Sequence, residues 1–567
     1  MKVLLQSVVL AITIIVHVQI KINQAIVVHV HKHGRDVKEC LQRDYISNQD
    51  HPKRFCHSLE FVARELGKFS RNITIILETG IQLENRTTFE DHHYLSIQGR
   101  NSYINCECKD QKDDIGLSFL YISNLTLSYV RIMKCCGGVN TYTSVILIKE
   151  SSNINIDRLQ LNDNQFGNAL TLENPSGYVL IQKCKFFNNG RKRSTEAGSS
   201  FAGGLHMQFS NYTSTMLTVR NCEFSKNTAP PLDALDPIEV LNFTQWTGNG
   251  LGGAIGILLL KKSSHVAIDI INCIFKQNRA PWGGGLCIYL QTQTSNNKVT
   301  VTNSTLIENA ARNGGGGVQV RLGKLERGLN NSILFQNITL WKNWAIFGGG
   351  ASINALFVNH ITRPREILQF INCTWHQNTG SYSPAVDISP YKYQQSSQGY
   401  LPIPLFKNIN IQTNHGYGEN SKHQNRPYIH VTTGVFVVTR FSVQFQGQVA
   451  FKGNWYSALY VTSGRAIFDA NSTVLFHSNQ AVKGGAIAIH GFSALVIYDN
   501  SSFTFENNSA ARVGGGIYYA PSDQREYFEG RTCFLEYGGW EGNVAKRNIR
   551  FTFTSNKAPL GGVSIYS

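Results

Sequence analysis

The chain repeats a short motif: an aromatic or large apolar residue, two variable residues and an asparagine, often followed by glycines and an apolar strand. Successive motif asparagines lie 25 to 51 residues apart, a spacing typical of stacked repeats of roughly 20–50 residues. One such repeat cannot bury its own apolar face, so the motif predicts a solenoid. Clear copies are Phe224 with Asn227, Phe275 with Asn278, Phe476 with Asn479, Phe505 with Asn508, and Phe553 with Asn556.

The segments around the motif have the two-residue period of β-strands. Apolar residues alternate at Val299 and Val301 and at Leu286 and Ile288, with little helical period in the repeats. Strands that recur in the same direction on each coil form parallel sheets, and such crossovers are right-handed. The sequence therefore predicts an all-β fold, a right-handed parallel β-helix with a small N-terminal cap containing a short helix.

Each position of the motif has a local physical cause. We expect the aromatic residue to point inward and stack on its equivalent in the next coil. We expect the asparagine to sit in a turn, where it tolerates left-handed backbone angles and its amide bonds backbone groups that water cannot reach. The position two residues before the aromatic alternates between cysteine and apolar residues, so its cysteines are predicted to be buried and unpaired: Cys184, Cys222, Cys273 and Cys373.

The combination of F-x-x-N with Gly-Gly-Ala resembles the repeats of the polymorphic outer membrane proteins of chlamydiae, within the pectin-lyase-like β-helix class. It stands here as "FKQNRAPWGGGL" from Phe275, "FHSNQAVKGGAI" from Phe476 and "FENNSAARVGGGI" from Phe505, and the similarity covers about residues 160 to 567. The resemblance implies a surface-displayed β-helix used in adhesion, with no catalytic residues to transfer. The N-terminal pattern described next makes the chain more similar to β-helix chains of simple animals.

The N-terminus resembles a secretory signal peptide. Lys2 is followed by an apolar stretch from Val3 to Ile20, and the alternative is an uncleaved anchor helix. We predict a signal peptide over residues 1–25, a cap and first coils over 26–115, and repeats over 116–567. The sequence stops within a repeat, which leaves open whether the repeats or a membrane anchor continue beyond Ser567.

Asn-x-Ser/Thr sequons are frequent and favour a eukaryotic secretory route, although some lie in turns where a glycan would not fit. The first five are the main glycosylation candidates: Asn72, Asn85, Asn124, Asn211 and Asn242. The later sequons are Asn303, Asn330, Asn337, Asn372, Asn471, Asn500 and Asn507.

Cysteines near the N-terminus predict disulfides in such a compartment. Cys40 and Cys56 flank a polar loop before the helix-like run "SLEFVARELGKF", so we predict a cap closed by a Cys40–Cys56 disulfide. A second cluster consists of Cys106, Cys108, Cys135 and Cys136. Their spacing favours disulfides over a zinc site.

The formal net charge is +16 and is spread along the chain. A solvated basic surface is the plain interpretation, and attraction to anionic glycans or membranes is the sharper one. No nucleic-acid recognition motif accompanies the charge, so we expect no nucleic-acid partner.

Catalysis on a β-helix requires paired carboxylates or a calcium site beside a basic residue. Acidic pairs occur only at Glu90-Asp91 and Asp113-Asp114, before the clear repeats. Trp344 and Trp455 directly follow motif asparagines, and we expect them to pack on the next coil, with sugar stacking as the alternative.

The sequence therefore predicts a secreted or cell-surface glycoprotein with a non-catalytic scaffold for adhesion or for binding a ligand or glycan. No catalytic residue, metal site or cofactor is predicted, and glycans or other cell-surface components are the candidate partners. The alternative is a pectin-lyase-like polysaccharide lyase or glycoside hydrolase, which would place carboxylates and basic groups in one groove across adjacent coils.

Overall fold

A computed structural model describes most of the chain. The described residues are 26–41, 55–66, 72–100, 102–108, 113–137, 144–165, 167–190, 202–210, 212–229, 250–291, 293–323, 330–355, 367–390, 403–416, 434–520, 535–537 and 548–566. The predicted signal peptide at 1–25 lies outside them, as do Asn211 and Asn242.

The chain winds into three stacked columns of parallel strands, as the repeats predicted. Every pairing between the named strands is parallel, and each strand pairs with its equivalent on the next coil. Within a coil the chain passes through the first, second and third columns in turn. The structure confirms the parallel β-helix, and the right-handed sense follows the rule for parallel crossovers.

The first and second columns belong to one continuous sheet. First-column strands are Ile26–Val30, Asn72–Leu77, Tyr94–Gly99, Leu125–Ser128, Ser152–Asp157, Ser176–Gln182, Tyr212–Arg220, Ser264–Ile271, Lys298–Thr302, Ser332–Gln336, Leu368–Ile371, Arg465–Phe468, Ala494–Ile497 and Leu535–Tyr537. Second-column strands are Ile81–Leu83, Tyr103–Cys106, Arg131–Met133, Gln160–Asn162, Lys185–Phe187, Glu223–Ser225, Ile274–Lys276, Thr305–Ile307, Thr339–Trp341, Thr374–His376, Thr473–His477, Ser502–Glu506 and Arg550–Thr554. Two longer strands, Leu405–Gln412 and Ser442–Lys452, run through both columns.

A separate sheet forms the third column, and short edge strands lie between the second and third columns. Third-column strands are Thr87–Glu90, Leu117–Leu120, Ser144–Lys149, Asn168–Glu173, Leu205–Phe209, Ile255–Leu259, Leu286–Leu290, Val318–Leu322, Ala351–Ala355, Val386–Pro390, Gly434–Thr439, Ser457–Thr462, Ile487–His490, Ile517–Ala520 and Ile565–Tyr566. The edge strands are Arg279–Trp282, Ala310–Gly314, Trp344–Ala345, Thr379–Gly380, His415–Gly416, Gln480–Lys483 and Ser509–Val513.

The motif aromatics fill the core as stacked rings. Phe224 and Phe275 lie 5.4 Å apart, Phe476 and Phe505 5.0 Å apart, and all four are fully buried. The motif predicts the same inward position and near-complete burial for Phe553, and the burial is wrong. Phe553 stacks on Phe505 at 4.6 Å but is only partly buried, because it lies on the last described coil and is covered from one side.

The motif asparagines form a continuous buried ladder. In Asn278, the backbone N–H and Nδ2 both donate to Oδ1 of Asn309, at 3.0 and 2.9 Å, and Nδ2 also donates to the carbonyl of Phe224 at 2.9 Å. The ladder runs through Asn164, Asn189, Asn227, Asn278, Asn309, Asn343, Asn378, Asn414, Asn454, Asn479, Asn508 and Asn556.

One detail of the predicted turn is wrong. The ladder asparagine does not adopt the left-handed conformation; the residue before it does, as at Gln277 (φ 57°) and Glu308 (φ 53°). Asparagine is therefore required at the ladder position for its amide, which both donates and accepts, rather than for its backbone freedom.

The glycine runs allow neighbouring coils to approach each other closely. Gly315 has φ 69°, and a Cβ on Gly316 would lie 2.3 Å from the carbonyl oxygen of Gly349. A side chain at Gly316 would therefore force the two backbones apart.

The N-terminal cap contains a 3-10 helix, Lys38–Leu41, and the helix α1, Leu59–Leu66. Ser58 Oγ accepts a hydrogen bond from the N–H of Phe61, a typical helix N-cap. Leu59, Val62 and Leu66 are buried against the first coils, as their spacing predicted. The division of the chain at residue 115 stays a prediction.

Candidate functional site

The predicted disulfide and the first three sequons lie at the N-terminal end of the β-helix. Cys40 and Cys56 form a disulfide with a Cα–Cα distance of 5.3 Å. Asn85 is exposed, Asn72 is half-buried, and Asn124 is half-buried with Nδ2 donating to the carbonyl of His93.

The remaining described cysteines separate into two groups. Two disulfides, Cys106–Cys135 and Cys108–Cys136, link the coils that follow the cap. Five thiols stay free and buried: Cys184, Cys222, Cys273, Cys287 and Cys373. Burial raises the pKa of the Cys373 thiol to about 12, so that thiol is unreactive as a nucleophile. Three disulfides fit an extracellular location.

The most distinctive surface is a row of outward side chains directly after the ladder asparagines, on the edge strands and the turns that continue them. We call it the edge row: Thr228, Arg279, Ala310, Trp344, Thr379, His415, Trp455, Gln480, Ser509 and Lys557. Consecutive members are paired across coils or are in ring contact. Because the next residue inward, such as Ala345, is buried, the members of the row face outward.

Trp455 is the most exposed aromatic side chain of the edge row. Its side chain is 58% exposed, and its ring meets His415 edge-on at 5.4 Å. The expectation that Trp455 packs on the next coil is therefore wrong. Trp344 is half-buried in the same row. Three coils separate the two tryptophans, roughly 14 Å at the spacing of parallel strands.

Other tryptophans lie beside this row. Trp341 Nε1 donates to Gln377 at 2.9 Å, and Lys342 Nζ lies 4.8 Å from its ring. The guanidinium of Arg321 lies 4.4 Å from the Trp282 ring, within reach of a cation–π contact. Of the tryptophans in the described ranges, only Trp375 belongs to the core. Within these ranges, surface tryptophan is therefore concentrated on and beside one edge of the solenoid.

Charge on the edge strands has a single sign. The seven edge strands carry Arg279, Arg312, Lys483 and Arg512 and no acidic residue. Lys483 Nζ also lies 3.3 Å from the hydroxyl of Tyr518. Burial lowers the pKa of His415, so this residue is neutral at neutral pH. The edge therefore combines aromatic rings, neutral polar groups and positive charge.

Outward positions of the third column form a second polar strip. Gln319, Ser352 and Asp387 pair in register on adjacent strands and are buried. Burial raises the pKa of Asp387 to about 6, although Ser389 Oγ donates to it at 2.8 Å. Burial likewise lowers the pKa of His206, on the same face, to about 4.

The two adjacent acidic pairs of the sequence precede the clear repeats. Asp114 binds the guanidinium of Arg86, and Glu90 and Asp91 are exposed. Over the described ranges, no three His, Cys, Asp or Glu side chains come together as metal ligands. In the same part of the chain, no helix has the length and apolar character that crossing a membrane requires.

Sequence reasoning identified the two tryptophans but missed their neighbours. Thr379, His415 and Arg279 also directly follow ladder asparagines, so their position relative to the motif was the signal that could have placed them in one row.

A family model matches one repeat of the chain. The model of the Chlamydia polymorphic membrane protein repeat matches residues 502–520. These residues run from a second-column strand through ladder Asn508 and an edge strand to a third-column strand. No curated protein and no solved structure matches the chain. The repeat match fits the parallel β-helix.

Proposed function

We propose that the chain is a secreted or cell-surface glycoprotein whose β-helix is a non-catalytic scaffold for adhesion, and that its edge row binds acidic glycans. The observation that carries the proposal is the exposed Trp455, in one row with Trp344 on an edge whose strands have only basic charges.

The chemistry of this edge suits a sugar polymer. Pyranose rings present apolar C–H faces that stack on indole, and their hydroxyls pair with groups such as Thr379 and His415. Because the edge row runs over ten consecutive coils, a polymer lying along the helix axis would meet aromatic, polar and basic side chains at the spacing of the strands. Many weak contacts then add through multivalency.

Charge complementarity selects the class of glycan. Arg279, Arg512 and Lys557 are exposed, on or beside the row. Carboxylate or sulfate groups would be attracted to these cations, whereas a neutral polysaccharide would gain only the stacking contacts. We therefore expect uronate-containing or sulfated polymers to bind more tightly than neutral ones.

Binding of the purified protein to immobilised polygalacturonate, heparin and dextran tests the proposal. We expect Trp455→Ala to weaken binding to the acidic polymers at least tenfold, and Trp344→Ala to weaken it less. Tyr178→Ala is the matched control, because Tyr178 is 52% exposed but lies on the first column. Equal loss in all three variants, or binding that ignores the edge row, would contradict the assignment.

A further inference from the structure

A second asparagine ladder lies on the outside of the molecule and contains three sequons. Asn303, Asn337 and Asn372 occupy the same bend between the first and second columns on three consecutive coils. All three are exposed and left-handed, with φ of 49°, 56° and 54°.

Hydrogen bonds join these asparagines to each other. Asn337 Nδ2 donates to Asn303 Oδ1 at 2.9 Å, and Asn372 Nδ2 donates to Asn337 Oδ1 at 3.3 Å. The backbone N–H of Asn303 and Asn337 each donate to a carbonyl of the next coil at 3.0 Å. The ladder therefore holds neighbouring side chains at the spacing of the strands, about 4.8 Å.

The hydroxyl residues of the sequons stack as well. Thr305, Thr339 and Thr374 pair in register on the second column. Each coil thus presents a complete Asn-x-Thr sequon directly above the next one.

A separate pair of stacked sequons repeats the arrangement independently. Asn471 and Asn500 are exposed, have φ of 62° and 58°, and lie on consecutive coils, since Thr473 pairs with Ser502. The N–H of Asn471 donates to the carbonyl of Asp499 at 3.0 Å.

We infer that glycans on neighbouring sequons in these two stacks exclude each other. A folded molecule then carries no N-glycan on two adjacent asparagines of a stack. The inference rests on the proposed passage through a secretory pathway. A substituted pyranose and its branches are wider than the spacing of about 4.8 Å between neighbouring asparagines. Two adjacent glycans would have to separate the coils or break the ladder. Asn303 and Asn372, which are two coils apart, do not exclude each other.

Cleavage after arginine gives a peptide that tests the exclusion directly at Asn471 and Asn500. Arg465 and Arg512 bound a segment without internal arginine, so residues 466–512 form one peptide that retains both Asn471 and Asn500. In full-length protein secreted from eukaryotic cells, fragmentation of this peptide should show a glycan at Asn471 or at Asn500 but not at both. A doubly modified fraction equal to the product of the two site occupancies would overturn the inference.

Variants test the stack of Asn303, Asn337 and Asn372 without removing any asparagine of its ladder. Thr339→Ala removes the Asn337 sequon but keeps the asparagine, and it should raise glycan occupancy at Asn303 and Asn372. Thr126→Ala is the control, because it removes the sequon of Asn124, whose neighbours on adjacent coils, Tyr94 and Asn153, begin no sequon. Unchanged occupancy in Thr339→Ala would overturn the inference.

Asn85 is an exposed sequon outside both stacks. Its glycan occupancy distinguishes a failure of the exclusion from a failure of the glycoprotein proposal. A glycan at Asn85 together with glycans on two adjacent sequons of a stack would contradict only the exclusion. A secreted protein without glycan at any sequon would contradict the glycoprotein proposal itself, and with it the inference.

Discussion

At the scale of single residues, Asn309 shows how much the fold depends on one buried amide. Its Nδ2 donates to Asn343 Oδ1 and to the carbonyl of Phe275, while its Oδ1 accepts from the N–H and Nδ2 of Asn278. No other side chain of this size both donates and accepts with the same geometry. The repeated asparagine is thus explained by folding alone.

Removing this amide should be costly. In Asn309→Ala, buried donors of Asn278 and the carbonyl of Phe275 lose their partner, and each unsatisfied group costs about 1–3 kcal/mol. We expect the free energy of unfolding to fall by about 3–5 kcal/mol, measured by urea denaturation. Asn303→Gly, in the exposed ladder, should cost less than about 1 kcal/mol because glycine accepts positive φ. Similar losses in both variants would contradict the role of burial.

The buried carboxyl of Asp387 should make stability depend on pH. Its pKa is raised by burial to about 6, above the ordinary 3.8, so the folded state binds more protons than the unfolded state between these values. Stability therefore falls as pH rises from about 4 to 6, by up to about 3 kcal/mol. Thermal unfolding of the Asp387→Asn variant should not show this fall in stability over the same pH range. Parallel pH profiles of the two proteins would show that Asp387 does not titrate as stated.

At the scale of structural elements, each aromatic column is stabilised by contact on both sides. Phe275 lies between Phe224 and Leu306, whereas Phe553 meets Phe505 on one side only. Burial by neighbouring coils, rather than the sequence of a single repeat, determines how much a ring contributes.

Truncation of these rings should follow that difference. Phe275→Ala should lower the free energy of unfolding by about 3–5 kcal/mol, because it leaves a cavity between two coils. Phe553→Ala should lower it by less than half as much. Chemical denaturation of both variants provides the measurement. Equal losses of unfolding free energy would contradict the one-sided packing of Phe553.

The motif predicted the elements well because every inward position repeats. Alternating apolar residues gave the strand faces, and the ladder asparagines marked the corner where the edge strands begin. The left-handed residue was misplaced by one position, because many polar residue types, including Lys226 and Gln277, occupy it and leave no pattern in the sequence.

The candidate site was less predictable for the same reason. Outward side chains repeat weakly, so Trp455, Thr379 and Arg279 have no common residue type, and only the register of the coils shows that they share a row. The exposure of Trp455 depends on what surrounds the turn, which the motif does not encode.

At the scale of the whole molecule, stacking and charge act over different distances. Indole contacts are local to Trp344 and Trp455, whereas the net charge of +16 creates a field over the whole surface. Salt screens the field, with a Debye length of about 10 Å at 0.1 M, and leaves apolar contacts intact. The two contributions to polysaccharide binding can therefore be separated.

This separation gives a prediction for the intact protein. Binding to an acidic polysaccharide should weaken several-fold when salt rises from about 0.05 to 0.5 M. Trp455→Ala should lower affinity at every salt concentration without changing that dependence, whereas Arg279→Gln with Arg512→Gln should flatten it. During these assays the wild-type protein should release neither reducing nor unsaturated sugar ends, as the proposed scaffold role requires. Saturable release that Asp387→Asn abolishes would instead establish the pectin-lyase-like enzyme, with the third column rather than the edge row as its working face.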